Sequence, residues 1–289
     1  MTGLIFQTSR AADAGLRPGH ILITGASSGL GRALALHYAA HGRTLSLLGR
    51  DAGRLAAVAE ACRERGAAVE VASIDVTDRE AMAVWISGRD ASRPIDVLIA
   101  NAGMGGAAVV AGPCGEGIAK ALEIVSVNTV GVVNAVGAVL PLMGGRRRGQ
   151  LVLVSSLAAL IGLPQSPAYS ASKAAVKVYG DALRRLLRPQ GIAVTNVLPG
   201  FIDTPMSRSL AMRRPWCWDA ERAARRIARD IERGAAQSVF PWQLRLAIGL
   251  QNFVPIGVAD LVLALGARLG PTPPGALSKD EGAKPRRKI

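Results

Sequence analysis

Six short runs of β-branched and leucine residues recur through the first two-thirds of this chain, separated by alanine-rich segments of helical period. The runs read HILITG from residue 20, TLSLLG from 44, VEVASID from 69, IDVLIAN from 95, QLVLVSS from 150 and AVTNVLPG from 193. Strands this apolar are covered on both faces, and a helix between consecutive strands brings the next one back parallel to the last. The alternation therefore predicts an α/β fold with a doubly wound parallel sheet flanked by helices. Helices are expected over roughly 30–41, 52–65, 78–89, 115–142 and 168–188, where apolar residues recur every third or fourth position.

Beyond Thr204 the alternation stops. Residues 205–235 read as a loop and then a helix with Arg222, Arg225, Arg226, Arg229 and Arg233 on one side and Ala220, Ala223, Ala224, Ile227 and Ile231 towards the other. From 241 to 269 the chain is apolar apart from Arg245, Asp260 and Arg268, and the ending PTPPGALSKDEGAKPRRKI has the proline and charge content of a disordered tail. We expect an N-terminal arm over 1–19, one domain over 20–270 in which 205–270 supplies a substrate-side loop and extra C-terminal helices, and a tail over 271–289. With 289 residues, of which 49% are hydrophobic, the chain has ample material for one such core, and no internal repeat divides it.

Between the first strand and the first helix lies Thr24-Gly25-Ala26-Ser27-Ser28-Gly29-Leu30-Gly31. This is where a Rossmann-type fold turns its backbone around a pyrophosphate: glycines permit a tight turn and close approach, and the helix start offers unpaired N–H groups to an anion. The T-G-x-x-x-G-x-G spacing resembles that of the short-chain dehydrogenases/reductases, and the rest of that family's pattern follows in order. The resemblance covers roughly residues 20–205. It implies that Gly25, Ser27, Ser28, Gly29, Leu30 and Gly31 hold the cofactor phosphates. Asp75 and Val76, ending the third strand, would hold adenine, and Asn101-Ala102-Gly103, after the fourth, would steady the sheet beside the cofactor. At the end of the second strand an acid would bind the ribose 2′-OH of NAD, but Arg50 stands there and offers a guanidinium fork to a 2′-phosphate. NADP is therefore the preferred cofactor and NAD the alternative. Pro199, Gly200, Ile202 and Thr204 match the family's P-G-x-x-x-T segment, which orients the nicotinamide.

Tyr169 and Lys173 are four apart at the start of an alanine-rich helix and so share a face. Carbonyl reduction needs a proton donor at the oxygen, and a free tyrosine, with a pKa of about 10, becomes more acidic beside an ammonium and an oxidised nicotinamide. The resemblance assigns Tyr169 as acid/base, Lys173 as the group that tunes it, Ser156 as the hydrogen-bond partner of the substrate oxygen, and Asn128 as the holder of a proton-relay water. Ser155 is expected to point to the other side of the strand end. The expected activity is hydride transfer between NAD(P) and a carbonyl or alcohol; the alternative is a nucleotide-binding regulatory or structural protein without turnover.

Other readings are narrower. Cys62, Cys114 and Cys217 are odd in number and widely spaced, which points to free thiols in a reducing, cytoplasmic setting. No signal peptide is read in the first twenty residues, and no segment is read as spanning a membrane. His37 and His41 lie four apart but lack a third ligand, so no metal is expected. The net charge of +14 favours anionic partners, yet 4% aromatics and no binding motif argue against nucleic acid. Arg146-Arg147-Arg148 reads as a loop. Met206, Leu210, Trp216 and Trp218 make the substrate side bulky and apolar, pointing to a lipid-like or otherwise large substrate. A homodimer is expected across helices 115–142 and 168–188, because the family's usual ending, a seventh strand with a glycine-rich tail, is not seen and only SVFPW at 238–242 offers a strand. The stretch 241–269 has two uses open to it: packing on the protein or a partner subunit, or a peripheral contact with the inner membrane surface.

Overall fold

The computed structural model describes residues 18–105, 117–210, 214–251, 253–255 and 257–258. Cys114, most of the N-terminal arm, the tail and most of the chain beyond Gln251 lie outside the described residues. The chain runs β1 (His20–Thr24), α1 (Gly29–Tyr38), β2 (Thr44–Gly49), α2 (Ala52–Arg63), β3 (Ala68–Ser73), α3 (Arg79–Ser92) and β4 (Val97–Ala100). It continues through α4 (Ile118–Val125), a π-helical turn (Ser126–Val130), α5 (Gly131–Arg146), β5 (Gly149–Val154), α6 (Pro167–Leu187) and β6 (Ile192–Pro199). Then come β7 (Ile202–Asp203), α7 (Pro205–Arg208), β8 (Trp218–Asp219), α8 (Ala220–Glu232), β9 (Gln237–Phe240) and α9 (Trp242–Gln251).

Seven strands form one sheet in the order β3-β2-β1-β4-β5-β6-β9, and every neighbouring pair is parallel. Successive side chains leave opposite faces of a strand, so each central strand feeds two cores. Ile21, Ile23, Val97, Ile99 and Val152 pack with α1, α2 and α8, whereas Leu22, Leu98, Leu151 and Leu153 pack with α3, α5 and α6. All nine are fully excluded from solvent, which explains runs that are apolar at every position rather than at alternate ones. The strand order reverses between β1 and β4, and the crevice at their carboxyl ends is where such sheets take ligands.

Four sequence expectations change here. A seventh strand is present: β9, drawn from the segment named as the only candidate, adds to β6 in parallel, with α8 as its crossover. The arginine-bearing helix buries Ala223, Ala224, Ile227 and Ile231 against α1 to make that connection. Arg146 is not in a loop but is the last residue of α5, where it grips Asp90 with two bonds of 2.6 and 2.9 Å. Asp90 is almost fully buried, and a buried carboxylate requires such a partner. Among the described residues one helix, the continuous Ile118–Arg146, does meet the length and apolarity needed to cross a membrane; it packs on α3 and α6, and Asn134 donates to the Val76 carbonyl at 3.0 Å, so we read it as a core helix. Finally, β3 stops at Ser73, two residues before Asp75.

Candidate active site

The turn after β1 is shaped by what its glycines exclude. Gly25 has φ 68°, and a Cβ there would stand 2.7 Å from the Cα of Ala102; a Cβ on Gly31 would collide with the Gly25 carbonyl. The turn is tied to the end of β4 by Thr24, whose hydroxyl accepts from the amides of Asn101 (3.1 Å) and Ala102 (3.0 Å). Asn101 returns its side-chain amide to the carbonyls of Thr24 (3.1 Å) and Gly25 (3.3 Å). Ser28 stands at the N-cap of α1 but makes no side-chain cap bond, which leaves the helix's first N–H groups directed at the crevice. Ser27, Ser28 and Gly29 border a cleft of about 500 Å³ together with Arg32, Arg54 and Arg208. These three arginines were missed in the sequence; Arg32 directly follows Gly31, and that adjacency was the available signal.

Arg50 follows β2 and is exposed, with Nη1 3.9 Å from Asp75 Oδ2. Asp75 also accepts from the amide (2.9 Å) and hydroxyl (2.8 Å) of Thr77. Partial burial pushes the Asp75 carboxyl up, but the Thr77 bonds and Arg50 outweigh it and hold the group below its usual range. Val76 is buried against Gly131. On the other side of the crevice, Pro199 and Gly200 end β6, and Ile202 lies in β7. Thr204 caps α7, its hydroxyl accepting from the Ser207 amide at 3.2 Å while Ser207 Oγ accepts from the Thr204 amide at 3.1 Å. The Thr204 side chain also faces Gly29, where an added Cβ would meet it at 3.1 Å. The phosphate turn and the P-G-x-x-x-T segment therefore touch.

Ser156, Tyr169, Lys173 and Asn128 gather at the carboxyl end of β5. The Ser156 hydroxyl accepts from the Ala158 amide at 3.1 Å and bonds Tyr169. Ser155 turns elsewhere, to the Lys173 carbonyl at 2.7 Å, as its position one residue earlier requires. Lys173 is 4% exposed; its ammonium donates to the Val154 carbonyl at 3.0 Å and lies 5.8 Å from the centre of the Tyr169 ring. Burial lowers its pKa to about 8. Tyr169 shifts the other way: burial raises its hydroxyl and the Ser156 bond only partly offsets this, so the protein's own groups do not produce the expected depression. Desolvation dominates here and favours the protonated phenol.

Asn128 lies in the π-helical turn and is wholly buried. Its amide clamps Met104, accepting from the backbone N–H at 2.8 Å and donating to the carbonyl at 3.0 Å, and also donates to Ser172 Oγ at 3.0 Å. Ser172 in turn donates to the Tyr169 carbonyl at 2.7 Å. It is a further site residue missed in the sequence, signalled only by its place between Tyr169 and Lys173 on the buried side of α6. Gly103 completes the group: a Cβ on it would sit 3.2 Å from Asn128 Oδ1 and 3.3 Å from Lys173 Nζ. Gly103 therefore lets the backbone lie directly against an amide and an ammonium at the carboxyl end of the sheet, where a side chain would be crowded. A flat heterocycle with a pyrophosphate tail, such as a nicotinamide dinucleotide, fits these features.

Of the bulky residues expected on the substrate side, Met206 is close enough to Gly105 to meet a Cβ there at 3.3 Å. Trp218 is instead structural, stacked on Phe240 at 4.7 Å and covered by Arg222 at 4.0 Å, because α8 needs an aromatic floor at its start.

The pattern of the family described as short chain dehydrogenase matches residues 19–214. The chain is 37% identical to an uncharacterized oxidoreductase of Myxococcus xanthus over 240 residues, 83% of this chain and 94% of the relative. It is 35% identical over 190 residues to a monensin polyketide synthase putative ketoacyl reductase of Streptomyces virginiae, covering 65% of this chain and 72% of that one. Among solved structures, a short-chain dehydrogenase from Sphingobium yanoikuyae in complex with NADPH superimposes with TM-score 0.71 at 27% identity, covering 85% of this chain and 95% of the other. Sheet order, turn and sequence agree: the chain belongs to the short-chain dehydrogenase family of oxidoreductases.

Proposed function

We propose that this protein interconverts a carbonyl and an alcohol with NADPH in preference to NADH, using Tyr169 as the acid/base. The observation that supports this best is the meeting of Ser156, Tyr169, Lys173 and Asn128 beside Gly103 at the end of β5. A bound nicotinamide supplies or takes the hydride at the carbonyl carbon. Ser156 holds the oxygen by hydrogen bond, and Tyr169 gives it a proton as negative charge develops. Lys173 tunes Tyr169, and a water held near the lysine by Asn128 would return a proton to Tyr169. The substrate is a small or lipid-like carbonyl compound, admitted beside Met206.

Preference for NADPH rests on Arg50, an exposed guanidinium at the end of β2 whose one ion pair among the described residues is the 3.9 Å contact with Asp75. Titration of nicotinamide fluorescence with NADPH and NADH tests it. Arg50→Ala is expected to weaken NADPH about tenfold, the discounted value of one exposed charge-assisted contact, and to leave NADH unchanged. Equal affinity for both nucleotides in the wild type would refute the preference.

A homodimer and a cytoplasmic setting belong to the same proposal. Ile118, Leu122 and Val125 on α4, Val133 on α5, and Val178 and Leu186 on α6 are exposed on the two long helices. Covering them against a second copy removes that apolar surface from water. Light scattering is expected to give twice the chain mass; a stable monomer or tetramer would count against this arrangement.

A further inference from the structure

Helix α9 is apolar on two sides. Inward, Leu244 and Ile248 pack with Leu157 and Leu198, and Leu157 directly follows Ser156. Outward, Trp242 (67% exposed), Leu246 (52%), Leu250 (56%) and, beyond the helix, Phe253 (87%) share one stripe along a shallow groove of about 300 Å³ that Arg245 and Gly249 also line. A stripe of large exposed side chains that includes tryptophan marks a surface that is normally covered.

Charge decides between the coverings. From Pro241 to Val258 there is no acidic residue, Arg245 sits within the stripe, and the chain as a whole carries +14. The sequence ends with four further cations, Lys284, Arg286, Arg287 and Lys288. Two copies meeting through this stripe would bring Arg245 towards its own equivalent with no carboxylate to pair it. An anionic lipid surface takes the same stripe with attraction: apolar side chains enter the acyl boundary, tryptophan settles at the headgroups, and cations meet lipid phosphates.

We propose that the outer face of α9 docks on an anionic bilayer, so that the helix walling the Ser156 side of the site lies on the lipid. Its corollary, that apolar carbonyl compounds reach Ser156 from the membrane, rests on the reductase reading; the docking itself does not.

Flotation of the full chain with phosphatidylcholine vesicles, with and without phosphatidylglycerol, tests the proposal. The protein is expected to float with the anionic vesicles and to be released as salt rises. The double variant Leu246→Glu/Leu250→Glu is expected to lower the floated fraction about tenfold or more, since two apolar insertions are lost and two repelled charges gained. NADPH titration of the same variant checks that it is folded, and it is expected to bind as the wild type does. Wild-type protein left at the bottom with both vesicle types, or a double variant that floats undiminished, would overturn the docking. So would a double variant whose mass in light scattering falls to half, since the stripe would then be covered by a second copy. Loss of NADPH binding in the wild type would instead overturn the reductase reading and leave the flotation result standing.

Discussion

Tyr169→Phe is expected to turn over about 10²–10⁴-fold more slowly than the wild type while binding NADPH as before. The substitution removes one oxygen and leaves the ring that faces Lys173 at 5.8 Å. Nothing in the phosphate turn or the β2 end depends on that oxygen, so affinity for the dinucleotide reports a site that is otherwise intact. Under the proposed reaction the oxygen matters because burial favours its protonated form, while Ser156, its hydrogen-bond partner, would align it towards the substrate oxygen. A steady-state assay following nicotinamide absorbance, paired with the fluorescence titration, checks the expectation. Full turnover in the variant would remove Tyr169 from the chemistry.

Lys173→Met is expected to abolish most activity and at the same time to make the cofactor-free protein more stable at neutral pH. Lys173 is buried with a pKa of about 8, against 10.5 for a free lysine. Keeping it charged in the fold therefore costs about 3 kcal/mol below pH 8. Methionine has similar length and no charge; loss of the bond to the Val154 carbonyl returns about 1 kcal/mol. The net gain is about 2 kcal/mol. Its pH dependence has a definite sign. Between pH 8 and 10.5 the unfolded chain holds the lysine proton that the folded chain has released, so wild-type stability rises with pH across that window and is flat below it, as far as this group is concerned. The gap between wild type and variant should accordingly narrow from pH 7 to pH 9.5. Burial raises the pKa values of Cys62, Tyr38, Tyr169 and Tyr179, which act in the opposite direction; all four are common to both proteins, and those remote from Lys173 cancel in the difference. Urea unfolding at the two pH values measures it, and a variant less stable than the wild type at pH 7 would contradict the cost assigned to the buried ammonium.

Much of this architecture was legible because its causes are local. A strand buried on both faces must be apolar throughout, and a turn that brings backbone against backbone must use glycine, so the β1–α1 unit could be read from residue types, while the place of Asn101 beside it came from the family resemblance. Tyr169 and Lys173 were legible for a similar reason, since helical spacing fixes their shared face. What escaped depends on distant partners. The strand β9 is four residues long and begins with Gln237 and Ser238, which look polar until Ser238 is seen donating to Asp230 in the interior. Arg146 looks like one of three loop arginines, and its partners, Asp90 and the Ile95 carbonyl, lie 56 and 51 positions earlier. Asn128 was singled out by resemblance, but no pattern announced the π-helical turn that sets it between Met104 and Ser172.

That turn also changes what the long helix can be. A π-helical turn takes in one residue more than an α-helical turn, which advances the phase of everything after it by roughly 100°. The segments before and after Ser126–Val130 are consequently out of step: Ile118–Val125 is keyed to α6, and Gly131–Arg146 to α3. Neither registration can be carried through the turn by an unbroken α-helical repeat. The buried amide of Asn128 sits at the joint between two clocks set to different times, so a single residue inserted or removed at the middle of the helix would turn one half out of register with its partner.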